Sequence, residues 1–255
     1  MRLHLAYREF GSGAPIIILH GLMGSKKNWW SIAKKLSDSY HVFTLDARNH
    51  GDSPHAGTMS YEEMAQDVVE FMDRRHLEKP FLLGHSMGGK TAMVLALKYP
   101  LRVEQLIVAD VAPVTYSNNY HALLHILQTV DLQPVKQRNE VEFQLQNKIP
   151  DPLMRGFLLK NLSYDGQHFQ WKINLNAIEQ AISDLQGFPL IKANSHYPGK
   201  TLFIGGDLSD YLKPQYYSSI FKWFPDNRMV MLQNAGHWVH VEQPASFLQS
   251  VYDFI

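Results

Sequence analysis

The chain of 255 residues contains no cysteine, which excludes disulfides, a thiolate nucleophile and cysteine-ligated zinc at once. It has no surplus of either charge: 24 Lys and Arg balance 24 Asp and Glu, and no long basic block stands out. A protein that grips a nucleic-acid backbone needs such a surplus, so no nucleic-acid partner is expected. Long apolar runs are missing too. No segment approaches the roughly 18 uninterrupted apolar residues of a membrane-spanning helix, and the opening MRLHLAYREFGSG lacks the apolar stretch of a signal peptide. A soluble, cytoplasmic protein is expected. The 13 histidines are scattered. His237 and His240 stand at i, i+3 spacing, but no carboxylate completes an HExxH-type ligand set, so neither a metal site nor a cofactor is expected.

What the chain does have is a rhythm. APIIILHG is an apolar run ending in glycine and reads as a strand buried on both faces. KKNWWSIAKKLSDSY follows with apolar residues at helical spacing, HVFTLDARN is a second strand, and SYEEMAQDVVEFMDRRH opens with a capping box, Ser60 three before Glu63. PFLLGHS, GKTAMVLALKYP and VEQLIVAD continue as strand, helix, strand. This alternation predicts an α/β domain with a mostly parallel sheet and helices on both faces. After Asp110 the alternation stops. Residues 114–196 carry helical patterns only, and strand signals return in KTLFIGG and RMVMLQNAG. The simplest organisation is one core from 1–113 and 197–255, with a mostly helical insertion of 114–196 after the strand that ends at Asp110.

One stretch carries chemistry. GHSMG, residues 84–88, fits G-x-S-x-G between a predicted strand and a predicted helix. In a nucleophile elbow the serine sits on a strained turn between such elements, small neighbours make room for the backbone, and the hydroxyl projects above the sheet. The helix that starts there points free N–H groups at a developing oxyanion. Ser86 is therefore the candidate nucleophile, and the N–H of Met87 a candidate oxyanion donor. A second donor is offered by Leu22 in HGLMGS, the glycine-flanked turn after the first apolar strand, with His20 and Gly21 shaping it.

A serine hydroxyl needs a base. In NAGHWVHVEQP, His237 follows Gly236 at the end of the last predicted strand, where a loop can reach back over the sheet. His240 reads as support or as a packing residue beside Trp238. The base in turn needs an orienting carboxylate, and three stand after strands: Asp110 in IVADVAP, and Asp207 and Asp210 in FIGGDLSDYL. Carboxyl ends of parallel strands are where sites assemble, so placement alone does not separate them.

HGLMGS, LDARNHGDSP, LLGHSMGG, TLFIGG and NAGHWVHVEQP, in this order, resemble the α/β-hydrolase superfamily over nearly the whole chain, and DARNHGDSP looks most like the bacterial YbfF-type esterases. The family's order of nucleophile, acid and histidine also matches. The resemblance implies that the insertion is a cap over the active site. One departure bears on the acid. Many relatives end the later strand in G-x-x-D, and here that position is Ser209. Since some members take the acid from the preceding strand, Asp110 is favoured, with Ser209 as a further hydrogen-bond partner of His237. A slip of one position would make Asp210 the acid.

The expected reaction is hydrolysis of carboxylic esters through an acyl-enzyme on a Ser-His-Asp triad. The partner would be a small-molecule acyl ester or thioester. Trp171 in the insertion and Trp238 beside the histidine are candidates to line an acyl pocket. An acyl-CoA thioesterase and a C–C bond hydrolase would use the same residues, and a ligand-binding protein on a hydrolase scaffold is the reading outside enzymology. Oligomeric state has no signature in the sequence.

Overall fold

A computed structural model of the chain describes residues 3–117, 120–192 and 195–255. Its centre is a seven-stranded sheet of β1 (Tyr7–Phe10), β2 (Ala14–Leu19), β3 (Tyr40–Leu45), β4 (Phe81–His85), β5 (Leu106–Ala109), β8 (Thr201–Gly206) and β9 (Asn227–Leu232). The spatial order is β1-β3-β2-β4-β5-β8-β9. Only β1 runs antiparallel, against β3; the other pairs are parallel. Strand order reverses between β2 and β4, so a crevice opens at their carboxyl ends.

The apolar runs fill two cores. Ile16 and Ile18 face one layer with Trp29, Ile32 and Leu36 around α1 (Trp30–Leu36) and Phe247 and Val251 of α10 (Pro244–Tyr252). Ile17 faces the other, with Met64 and Val68 of α2 (Tyr61–Arg74) and the apolar face of α3 (Met87–Lys98). All three isoleucines are fully buried, each contributing about 2 kcal/mol of apolar transfer. The capping box forms: the Ser60 hydroxyl accepts from Glu63 N and the Glu63 carboxylate from Ser60 N.

Between β5 and β8 lie four helices, α4 (Tyr120–Gln128), α5 (Arg138–Gln146), α6 (Pro152–Leu159) and α7 (Leu175–Gln186). The helical periods predict all four. They do not predict the short antiparallel hairpin of β6 (Leu162–Tyr164) and β7 (Phe169–Trp171) between α6 and α7. Residues 118, 119, 193 and 194, near the two ends of the expected insertion, lie outside the described residues. The segment between β5 and β8 is tied to the rest of the chain by specific bonds. Asn161 Nδ2 donates to Met23 O (2.6 Å), Asn174 N to Asn49 O (3.0 Å) and Tyr61 Oη to Leu185 O (2.6 Å). Lys172 pairs with Asp52, which also pairs with Lys26, itself buried against Asp46. The two lysines hold Asp52 down to about 2.

The remaining helices follow the late strands: α8 (Tyr217–Trp223), then α9 (Val239–Glu242) directly after the His237 loop.

The glycines of the GHSMGG turn let α3 start against the strand ends. A Cβ on Gly88 would lie 2.5 Å from Leu19 O and 2.6 Å from His20 O, and one on Gly84 would run into the carbonyl of Gly88. These obstacles are backbone and cannot rotate away. Gly88→Ala is therefore expected to lower stability by about 3 kcal/mol, the upper end for overpacking. Urea unfolding would read this; an unchanged midpoint would mean that α3 can move off β2 freely.

Candidate active site

Every chemically competent side chain of the site hangs from the carboxyl end of a strand. Ser86 follows β4 with φ 52° and ψ −117°, a strained conformation for a residue with a Cβ, costing about 1–3 kcal/mol. Its N–H is held by Ala109 O at 3.1 Å, which links the turn to β5. Asp110, the next residue after β5, also has positive φ (50°), as does Met23 (58°) beyond β2. Three adjacent strand ends are thus bent sharply towards one crevice.

Asp110 is fully buried. Its Oδ2 accepts from His237 Nδ1 at 2.7 Å and from the Ser209 hydroxyl, and its Oδ1 accepts from Gly206 N at 3.1 Å. The carboxylate is thereby fixed by three donors, and the bond to Nδ1 leaves His237 Nε2 for the cavity that Ser86 also lines. The other two aspartates are elsewhere. Asp207 accepts from Ala235 N (3.2 Å) and shapes the β8 turn, while the Asp210 side chain is almost fully exposed beside Lys213. Ser209 corrects one expectation: its hydroxyl donates to Asp110, not to His237, because its backbone follows β8 directly below the carboxylate.

The HGLMGS turn is braced from behind. His20 Nε2 accepts from Ala47 N (3.0 Å) and its Nδ1 donates to Gly21 O (2.8 Å). His50 Nε2 accepts from Met23 N (3.1 Å) and its Nδ1 donates to Arg48 O (2.9 Å). Arg48 forms a two-pronged pair with Asp67, Nε–Oδ2 2.7 Å and Nη2–Oδ1 2.9 Å. DARNHGDSP is thus a frame for the turn that carries Leu22. Leu22 and Met87 stand with Ser86 in the cavity wall. The residues that sequence reasoning missed here are His50, Asn161 and Tyr211. The Tyr211 ring stacks on His237 with centroids 4.0 Å apart, and its hydroxyl pairs with that of Tyr120 at 2.7 Å. No spacing rule points to a tyrosine on a loop.

The space around Ser86 has two lobes. One is walled by Tyr61, Lys90, Tyr116, Ile182 and Tyr211; the other by Met154, Phe157, Leu158, His237 and Trp238. Trp238 thus reaches the site. Trp171 does not: it lies on the β6–β7 hairpin and lines a separate surface recess with Leu127, Val130 and Ile173. Among the described residues no group of three His, Asp or Glu side chains is arranged to hold a metal ion, and no helix is long and apolar enough to cross a membrane.

A nucleophile turn after the third parallel strand, with a carboxylate and a histidine on later strand ends, is the architecture of an α/β hydrolase. The chain belongs to the α/β-hydrolase fold family, which its residues 14–244 match. Among its relatives, the sn-1-specific diacylglycerol lipase ABHD11 of Danio rerio is 38% identical over 99% of this chain and 83% of its own length. Esterase YbfF of Escherichia coli is 31% identical over 96% of this chain and 94% of its own. A solved marine microorganism esterase superposes with a TM-score of 0.95 at 42% identity, covering 99% of this chain and 100% of that one.

Two further histidines pack behind the site. His85 Nε2 donates to His237 O at 2.8 Å and holds the loop in place. The His240 ring stacks on Trp29, centroids 4.0 Å apart, rather than beside Trp238 as expected from its neighbourhood in sequence. Burial pushes His50 and His240 each down to about 3, and His85 well below its ordinary value. In the unfolded chain a histidine takes up a proton near pH 6.5, so between pH 6.5 and 3 the unfolded state binds more protons and stability falls on acidification. Each such histidine costs about 2 kcal/mol at pH 5. His240 Nδ1 has no hydrogen-bond partner, so phenylalanine can keep the stack. His240→Phe is expected to reduce the loss of unfolding free energy between pH 7 and pH 5 by about that amount. An unchanged loss would mean that His240 is already protonated in the fold.

Proposed function

We propose that the protein hydrolyses carboxylic esters by acyl transfer through Ser86, His237 and Asp110, with residues 114–196 as a cap over the site. The observation that carries this reading is the joining of Asp110 to His237 Nδ1 at 2.7 Å in the wall of the cavity that holds the strained Ser86. The esterase and lipase relatives support the same reaction class. Ser86 Oγ attacks the ester carbonyl while His237 Nε2 takes its proton, and the oxyanion is met by the N–H groups of Leu22 and Met87. His237 then returns the proton to the leaving alkoxide, and water repeats the sequence on the acyl-enzyme. Asp110 keeps the imidazole in the tautomer that has its lone pair on Nε2. A chain without cysteine needs no oxidising compartment, which fits a cytoplasmic enzyme.

The two lobes divide the substrate. The leaving group must lie within reach of the group that protonates it, and His237 lines the lobe with Met154, Phe157 and Trp238. That leaves the acyl chain the lobe with Tyr61, Lys90 and Tyr116. Its close walls of Tyr61, Tyr116, Ile182 and Tyr211 suit a short chain.

Two measurements test this. In kcat/KM for p-nitrophenyl esters of increasing acyl length, butanoate is expected to exceed dodecanoate, with the matching acyl-CoA thioesters slower. Ser86→Ala is expected to lower kcat by about 10⁵- to 10⁶-fold, and Asp110→Asn by about 10⁴-fold through loss of the productive tautomer. Undiminished hydrolysis by purified Ser86→Ala protein would overturn the assignment.

A further inference from the structure

The acyl lobe contains a charge-bearing group that the reaction above does not use. Lys90 lies one turn beyond Ser86 on α3, its N–H donating to Ser86 O at 2.9 Å. Side chains on a helix lean towards its N-terminus, so Lys90 leans back towards the nucleophile along the cavity wall. It is 2% exposed. A buried ammonium ordinarily demands a carboxylate, yet Lys90 has no salt-bridge partner among the described residues. Its Nζ donates to Gln186 O (2.9 Å) and Gly187 O (2.5 Å) at the carboxyl end of α7, and sits 4.8 Å over the Tyr116 ring. Two carbonyls take two of the three N–H bonds of an ammonium. The third is left for the lobe, whose other walls are mostly apolar or aromatic, with Gln186 and the tyrosine hydroxyls among them.

We propose that Lys90 makes the acyl lobe a subsite for acyl chains ending in a carboxylate, so that half-esters of short dicarboxylic acids are preferred to neutral esters of the same length. This rests on the esterase reading and on the division of the lobes. The ester carbonyl reacts at Ser86 while the far carboxylate accepts the free N–H of Lys90, and the two buried charges neutralise each other. A neutral acyl chain offers that N–H no acceptor, which a site built to donate a hydrogen bond discriminates against strongly.

The protonation of Lys90 then becomes visible in selectivity. Burial lowers its ammonium to about 7. The titratable groups facing it are phenols: Tyr61 from α2, Tyr116 from the loop after β5, Tyr120 from α4 and Tyr211 from the loop after β8. Burial pushes Tyr61, Tyr116 and Tyr211 upward, so they add no charge. Lys90 carries its charge below about pH 7 and loses it above, while the half-ester stays an anion throughout.

The experiment compares kcat/KM for the monoethyl esters of succinate, glutarate and adipate with ethyl esters of the matching monocarboxylic acids, from pH 6 to 8.5. Taking the ratio within one protein cancels any pH dependence the two substrates share and any loss of folded enzyme. The ratio is expected to favour at least one half-ester by more than tenfold at pH 6 and to fall about tenfold between pH 7.5 and 8.5. In Lys90→Met it is expected to be small and independent of pH. A wild-type ratio that stays flat and below one would overturn the proposal, as would Lys90→Met lowering both substrates equally, which is what a lysine serving only to pin α7 would do. Failure of the esterase reading would look different: the neutral ethyl esters would show no Ser86-dependent hydrolysis.

Discussion

The contact on which the rest of the site depends is the abutment of α3 against the ends of β2 and β4, main chain to main chain. Gly84 and Gly88 have no side chain because carbonyls of Gly88, Leu19 and His20 occupy the space where a Cβ would go. That approach leaves no room for a relaxed turn, and Ser86 takes up the difference in its backbone angles. From the same abutment come the position of the Met87 N–H at the head of the helix and the placement of Lys90 one turn on. A looser junction would move the Ser86 hydroxyl, the Met87 N–H and the Lys90 side chain together.

The strain is held by the sheet. Ser86 N is tied to Ala109 O and Asp110 N to Ile204 O, so the bent strand ends of β4, β5 and β8 are cross-linked in series. The burial of β2, β4, β5 and β8 between two apolar layers supplies the stability that lets several residues remain in unfavourable conformations. Behind the HGLMGS turn, uncharged imidazoles do the bracing. Neutral His20 and His50 can each donate with one nitrogen and accept with the other, which a lysine or a carboxylate cannot.

Most of the core is legible in the sequence because parallel strands buried on both faces read as unbroken apolar runs, and because α2 announces its start with Ser60 and Glu63. β1 is not legible: YREF is short, polar and mostly exposed, and becomes a strand only because β3 offers it an open edge. The β6–β7 hairpin fails for a similar reason, with three residues per strand too few to show a period. Asp110, which bonds to His237, is favoured in the sequence through the family resemblance and the hydroxyl at Ser209, since strand placement alone does not single it out. Asp110, Asp207 and Asp210 all follow strands, and what separates them is the direction of each side chain after its turn, set by the positive φ at Asp110. Trp171 shows the converse: an aromatic residue in the right segment, on the wrong face. Lys90 has the pattern of an ordinary helix lysine, and only its burial against α7 marks it out.

Ser86, Asp110 and His237 all follow strands of the sheet, while the segment between β5 and β8 supplies walls and two backbone carbonyls. It is joined to the rest by a continuous apolar cluster that runs from α2 and α3 into α4 to α7, and by bonds such as Asn161 to Met23, Asn174 to Asn49 and the Lys172–Asp52–Lys26 chain. This is a division of labour between engine and casing. Substitutions on the cavity side of α6 and α7, at Met154, Phe157, Ile182 and Leu185, can reshape what enters while Ser86, Asp110 and His237 keep their strand-end positions, so a lineage can alter part of its diet by rewriting the casing.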